Sequence, residues 1–144
     1  MPPLIASPAM LGPVLGLNMW TFVMEGWLYA KRLPALQKYG VTPVDGITKE
    51  EIYAKTPREV HYPAENYSHL FEQPVQFYAI AITMSLLRVE SRTDLGLAWG
   101  YVGLRVIHSL IQSTKNKIMP RFLTFLASSF VLLAMAVRTG KKLL

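Results

Sequence analysis

The sequence predicts an all-α integral membrane protein built as a four-helix bundle. Four long apolar runs support this fold class, at residues 4–30, 70–87, 95–111 and 122–137. Each approaches the roughly 17 to 25 residues of a helix that crosses a bilayer. Of the 144 residues, 51% are hydrophobic and only 17% are charged, which leaves few ions for a water-exposed surface. No run alternates apolar and polar residues as a half-buried strand would, so the spans are expected to be helices.

Prolines and a capping pattern predict where the helices begin. Helices are expected at about residues 4–30, 64–88, 95–114 and 120–138, with a polar loop over 31–63, all within one domain spanning 1–144. No Lys or Arg precedes the first run, so we expect a retained span rather than a cleaved signal peptide. Pro63 and Pro120 suit the first turns of the second and fourth helices. Within the loop, Thr48 and Glu51 have the spacing of a capping box, which predicts a short surface helix.

The distribution of charge predicts an orientation and excludes some functions. Basic residues are more numerous in the first loop and the connection between the third and fourth helices than in the connection between the second and third helices and the C-terminal end. The positive-inside rule therefore places the long first loop in the cytoplasm and both termini on the opposite side of the membrane. The net charge of +6 does not gather on one polar face, so we expect no nucleic-acid partner. Since the chain has no cysteine, it can supply neither a disulfide nor a thiol nucleophile.

Polar residues recur at helical spacing inside three of the four predicted spans. They are Asn18, Thr21 and Glu25 on the first, Glu65, His69, Glu72 and Gln76 on the second, and Tyr101, Arg105, His108 and Gln112 on the third. Ionisable groups near the bilayer centre cost about 2.5 to 3.5 kcal/mol each and normally face a bundle interior or a wet cavity. We therefore expect the three stripes to face one another.

Two interpretations of these stripes stay open at this point. In the structural one, Glu72 or Glu25 neutralises Arg105 and the polar groups only hold the helices in register. In the functional one, the number of polar groups exceeds what one ion pair needs, and they line a wet crevice near one membrane boundary. His69 and His108 lack any dedicated metal-ligand spacing, so no metal site is expected.

Two motifs in order along the chain point to a family. The first is His69-Leu70-Phe71-Glu72-Gln73-Pro74-Val75-Gln76-Phe77-Tyr78, and the second is Arg105-Val106-Ile107-His108 followed by Asn116 and Arg121. With four apolar runs and a long first loop, the chain resembles the MAPEG family, the membrane-associated proteins of eicosanoid and glutathione metabolism. The resemblance extends over nearly the whole chain.

The resemblance implies a homotrimer of four-helix subunits, with glutathione bound in crevices between adjacent subunits near the cytoplasmic side. It implies that Arg121 is catalytic and stabilises the glutathione thiolate. The residues it implies for binding the cofactor are His69, Glu72, Arg105, His108 and Gln112. Four positions depart from the family pattern: His69 replaces a common asparagine, Gln112 replaces a tyrosine, and Glu65 and Ser68 stand where eicosanoid enzymes carry arginines.

The function expected from the sequence is a glutathione-dependent transferase or peroxidase that acts on apolar small molecules in the lipid bilayer. The alternative is a non-catalytic subunit that packs against other membrane subunits. The first span, rich in Met and aromatic residues, could contact such a partner, but it is equally typical of a lipid-facing belt. A carrier of hydrophobic ligands has no distinguishing mark in the sequence.

Overall fold

The chain folds into α-helices joined by short connections. The computed structural model describes residues 7–144, and no β-strand occurs among them. The helices are α1 (Pro8–Lys38), α2 (Lys49–Lys55), α3 (Tyr62–His69), α4 (Gln73–Leu86), α5 (Arg92–Ser113) and α6 (Ile118–Leu143), with a 3₁₀ turn at Arg58–Val60. The all-α prediction is confirmed. Residues 4–6 of the predicted first helix lie outside the described residues, and the assignment of 1–144 to one domain stays a prediction.

The core lies where α1 packs against α3, α4 and α5, and where α6 packs against α4 and α5. Its fully buried side chains include Leu17, Met24, Phe77, Tyr101 and Met135. The rings of Phe77 and Tyr101 are stacked with their centroids 4.5 Å apart. Apolar packing thus holds the middle of the bundle, and Tyr101 carries a hydroxyl group into it.

The first helix is longer than the sequence predicts. It was expected to end at residue 30, before the polar loop, but α1 continues to Lys38 and includes Pro34 in its interior. A proline there removes one hydrogen bond and crowds the carbonyl four residues earlier. Ala30, at that earlier position, is exposed, so its carbonyl can be solvated, and the helix tolerates the interruption.

The second predicted helix is wrong as a single element over 64–88. It is split into α3 and α4 by a turn at residues 70–72, with Glu72 in a non-helical conformation at the start of α4. Pro74 explains the break, because in a continuous helix its ring would clash with the carbonyl of Leu70. At the second position of a new helix, the same proline is well tolerated. The first of the two sequence motifs, residues 69–78, therefore spans the turn between α3 and α4.

The predicted capping box is confirmed. Thr48 accepts a hydrogen bond from the backbone N–H of Glu51 at 3.2 Å, and the Glu51 carboxylate accepts from the Thr48 N–H at 2.8 Å. The backbone hydrogen bond from Thr48 is the main cause that lowers the pKa of Glu51 below its usual value. Helix α2 follows directly, so a local pattern of two residues determines where this short helix begins.

His61, at the start of α3, holds α2 against the beginning of that helix. Its ring stacks on Tyr53 with the centroids 3.7 Å apart, and its Nε2 lies 2.6 Å from the Thr56 hydroxyl oxygen. Thr56 gives its own proton to the Ile52 carbonyl at 2.7 Å, so Nε2 must be the donor in this pair. Nδ1 is buried without a partner, and protonating it would leave an unsatisfied charged donor. Burial, with Arg32 adding to it, lowers the pKa of His61.

We expect α2 to separate from His61 and open locally in mild acid. The pKa of His61 is lower in the folded state than the unfolded value near 6.5, so the unfolded segment binds more protons. The stabilisation is therefore complete above about pH 6.5 and is lost as the pH falls through the folded-state pKa. The rate of amide hydrogen exchange over residues 49–61, corrected for intrinsic rates, should therefore rise as the pH is lowered from about 7.5 to about 5.5. If the His61→Gln variant showed the same rise in exchange rate in acid, protonation of His61 could not be its cause.

One helix within residues 7–144 is long and apolar enough to cross a membrane by the strict criteria of length and composition. It is α6 (Ile118–Leu143), with 26 residues. Only 22% of its most apolar window is buried by the rest of the chain. Phe130, Leu133 and Phe122 are each more than half exposed on it. A helix of this kind, with large apolar side chains left uncovered, is typical of contact with lipid or another subunit.

Candidate functional site

A crevice of about 210 Å³ lies where the α3–α4 turn meets the end of α5 and the start of α6. Its lining residues are His69, Glu72, His108, Ile118, Arg121, Phe122 and Phe125. One wall therefore carries imidazole, carboxylate and guanidinium groups, while the other is aliphatic and aromatic. Four of the six site residues predicted from the sequence line this crevice: His69, Glu72, His108 and Arg121.

Asn116 positions Arg121. This asparagine lies in the connection between α5 and α6 with φ +46°, a left-handed conformation that asparagine tolerates better than most residues. The Arg121 Nη1 donates to the Asn116 Oδ1 at 2.6 Å. None of the ion pairs among residues 7–144 includes Arg121, so its charge meets a neutral amide and remains available to an anion.

His108 is held by the backbone of the next helix. Its Nδ1 lies 3.1 Å from the carbonyl oxygen of Arg121 and 3.3 Å from the Thr124 hydroxyl oxygen. A carbonyl only accepts, so Nδ1 carries the proton, and in the neutral ring Nε2 is an acceptor. Nε2 is buried and has no hydrogen-bond partner within residues 7–144. The ring thus offers one unused acceptor next to the crevice.

His69 and Gln112, two departures from the family pattern, contact each other. The Nδ1 of His69 donates to the Gln112 Oε1 at 3.1 Å, and its Nε2 lies 4.0 Å from the Glu72 carboxylate. The Gln112 side chain is fully buried and does not line the crevice. Its role is therefore to orient His69, which is 40% exposed, beside Glu72, which is 64% exposed.

Arg105 lies behind the crevice rather than in it. It is 1% exposed, and its Nη2 donates to the Gln73 Oε1 at 2.5 Å while its Nε donates to the Tyr101 hydroxyl at 3.1 Å. Its guanidinium also lies over the Phe125 ring, 5.1 Å from the centroid. No ion pair within residues 7–144 includes it, so neither Glu72 nor Glu25 neutralises it.

The stripe predicted on the second helix separates because the helix is broken. Glu65 pairs with Arg58 of the 3₁₀ turn at 3.6 Å. Gln76 lines an apolar groove of about 470 Å³ between α4 and α6. Only His69 and Glu72 meet the third helix's stripe at the crevice.

The stripe on α1 also lies apart from the crevice. Its residues Asn18, Thr21 and Glu25 line a cavity of about 170 Å³ between α1 and the α3–α4 region. The expectation that all three stripes face one another was therefore wrong. Lys115 and Lys117, the nearest surface cations along the chain, are exposed and do not line the crevice either.

Gln73, Asn116 and Phe125 have structural roles that the sequence did not assign. Gln73 accepts a hydrogen bond from Arg105. Pro74 could have indicated this role, because a proline marks the start of a helix, and a new start changes which residue faces α5. Asn116 lies four residues after the polar stripe of α5 ends, in a short connection where asparagine suggests a left-handed turn. Nothing in the sequence marked Phe125 as the ring beneath Arg105.

The fold and the crevice together define a helical protein with an uncovered apolar helix and a polar site at one end of its helices. The model of the MAPEG family matches residues 10–141, nearly the whole chain. The chain therefore belongs to the MAPEG family, whose members are membrane proteins of glutathione and eicosanoid metabolism. No curated protein and no solved structure matches it.

Proposed function

We propose that this chain is a membrane-bound, glutathione-dependent transferase or peroxidase that acts on apolar substrates. The observation that carries the proposal is the crevice, where Arg121 has no carboxylate partner and lies beside Phe122 and Phe125. A cation without a counter-ion favours an anion, and the aromatic wall favours an apolar molecule from the lipid. Family membership supports the same chemistry.

The residues around the crevice fit glutathione. When bound, glutathione supplies a thiol, which this chain lacks because it has no cysteine. Arg121 stabilises the negative charge of the thiolate form. Glu72, which is largely exposed, accepts hydrogen bonds from an ammonium group. The buried Nε2 of His108, which has no partner among the described residues, accepts a hydrogen bond from one further donor. Arg105 and Gln112 act indirectly, by holding Gln73, Phe125 and His69 in place.

The site is completed by a neighbouring subunit in a homotrimer. Pockets for small-molecule ligands usually measure about 300 to 1,000 Å³, and the crevice of one chain holds about 210 Å³. Phe122 and Ile118 at its rim are 54% and 75% exposed, so a second apolar surface would be expected to cover them. In this assembly each subunit contributes four spans, with the long first loop in the cytoplasm and both termini opposite.

Glutathione binding by the detergent-solubilised full chain tests the proposal. We expect saturable binding at millimolar glutathione, conjugation to an aryl halide electrophile, and a mass of three subunits by native mass spectrometry. His108→Gln should weaken binding more than Gln76→Leu, because Gln76 lines the separate groove between α4 and α6. No binding at millimolar glutathione, together with a stable complex with other membrane subunits, would favour the non-catalytic alternative and overturn the proposal.

A further inference from the structure

A second polar cavity lies at the opposite end of α5 and α6 from Arg121. It holds about 360 Å³ between the α4–α5 connection and the last turns of α6. Its lining residues are Arg88, Val89, Glu90, Ser91, Asp94, Arg138, Lys141 and Lys142. Along α6, Arg121 of the crevice and Arg138 of this cavity are 17 residues apart, which is about 26 Å at 1.5 Å per residue and close to the thickness of a hydrocarbon core of about 30 Å. The two cavities therefore lie at opposite membrane boundaries.

The charge around this cavity is unbalanced. Four cations line it against two carboxylates. Asp94 is already occupied, because it pairs with Arg138 and accepts hydrogen bonds from the hydroxyl and the backbone N–H of Ser91. The carboxylate of Glu90 accepts a hydrogen bond from the Ser7 hydroxyl. This leaves Arg88, Lys141 and Lys142 facing a single carboxylate, an excess of two positive charges.

The cations are carried by fixed backbone. Ser91 and Asp94 form a complete capping box at the start of α5. Arg138 is tied to that box through both Asp94 and Ser91. Arg88 follows α4 with φ +54° in the left-handed position of a Schellman cap, in which its N–H donates to the Ser85 carbonyl at 3.2 Å and the Val89 N–H donates to the Met84 carbonyl at 2.9 Å. The dipole of α6 favours Lys141 and Lys142 in its last turn, but it does not account for the third cation, Arg88, at the end of another helix.

We propose that this cavity binds the phosphate group of an anionic lipid. Clusters of Lys and Arg beside a membrane-spanning helix attract anionic headgroups, with each basic residue contributing to the affinity. The phosphodiester of a lipid carries one negative charge, which the excess of two positive charges is sufficient to neutralise, and the concave shape admits one headgroup rather than a diffuse layer of lipid. The site is independent of glutathione, since it shares no residue with the crevice at the other boundary.

Competition between lipids tests this inference on the full chain in a neutral detergent. Native mass spectrometry with equal amounts of phosphatidylglycerol and phosphatidylcholine should show preferential retention of phosphatidylglycerol. The double variant Lys141→Gln/Lys142→Gln should lower that preference by on the order of tenfold. Arg88→Asn should lower it as well, because asparagine tolerates the left-handed backbone while the cation is removed. The matched control Lys38→Gln/Lys55→Gln removes the same charge elsewhere and should keep the preference.

Inorganic phosphate distinguishes the two sources of the ligand. If millimolar phosphate raises the melting temperature of the parent but not of Lys141→Gln/Lys142→Gln, and displaces phosphatidylglycerol, the cavity takes free phosphate as well as a headgroup. Equal retention of phosphatidylglycerol in the parent, both variants and the control would overturn the proposal. Melting temperatures measured without added lipid show that each variant is folded, so a loss of retention cannot come from unfolding.

Discussion

Replacing Arg121 with glutamine should lower the rate of glutathione conjugation roughly 10²-fold, while the protein stays folded. The side chain lies at the surface of the crevice and makes one hydrogen bond to the chain, to Asn116. Its removal therefore leaves no buried group without a partner. Loss of a preorganised group that stabilises a developing or resident anion typically costs 10² to 10³ in rate. The measurement is the initial rate at saturating glutathione, with far-ultraviolet circular dichroism to monitor folding.

Two further variants separate the role of Arg121 from a general effect of charge. Lys115→Gln removes a cation from the same end of the bundle, but Lys115 does not line the crevice, so its rate should match the parent. Asn116→Asp keeps the hydrogen-bond acceptor and tolerates the left-handed backbone, yet it places a carboxylate beside the guanidinium. We expect it to lower the rate, because the new charge competes with the thiolate. Equal rates in the parent and in Arg121→Gln would remove Arg121 from the catalytic role.

The sequence was sufficient for those features that depend on local patterns. The apolar runs predicted helices, and the Thr48–Glu51 spacing predicted a capping box, of which both hydrogen bonds are present. For the helices and the cap, the signal is a periodicity or a spacing within one turn of helix, where residue type and backbone geometry are directly linked. Arg121, His108 and His69 line one crevice, but their assignment to a binding site came from the family resemblance and stays a prediction.

Several of the features that the sequence did not predict follow from one break in the second predicted helix. Treating 64–88 as one helix placed Gln76 on the face toward Arg105, but the turn before Pro74 makes Gln73 the partner instead. The same break sends Glu65 outward to Arg58. A long apolar run suggests a continuous span so strongly that one proline within it is easily read as a kink. Which residue faces the neighbouring helix is then set by tertiary packing.

Replacing Gln73 with methionine should destabilise the fold by about 3 to 5 kcal/mol, the range for removing one partner from a buried charged group. Gln73 Oε1 accepts from Arg105 at 2.5 Å, from the Tyr101 hydroxyl at 3.2 Å and from the Ser128 hydroxyl at 3.3 Å. Its Nε2 donates to the Ser129 hydroxyl at 2.7 Å. Methionine has a similar length but accepts hydrogen bonds weakly, so the guanidinium would keep only Tyr101 and the face of Phe125.

Gln76→Met is the matched control, because it makes the same chemical change one turn away, in the groove between α4 and α6. It should be close to neutral, as is usual for an exposed site. The free energy of unfolding is measured by titration with a denaturing detergent in mixed micelles. Adding Arg105→Met to Gln73→Met should restore much of the loss, since removing both partners leaves no charge buried without an acceptor. If Gln73→Met were as stable as Gln76→Met, Arg105 would be solvated in the assembled protein, and its contact with Gln73 would not hold α4 against α5.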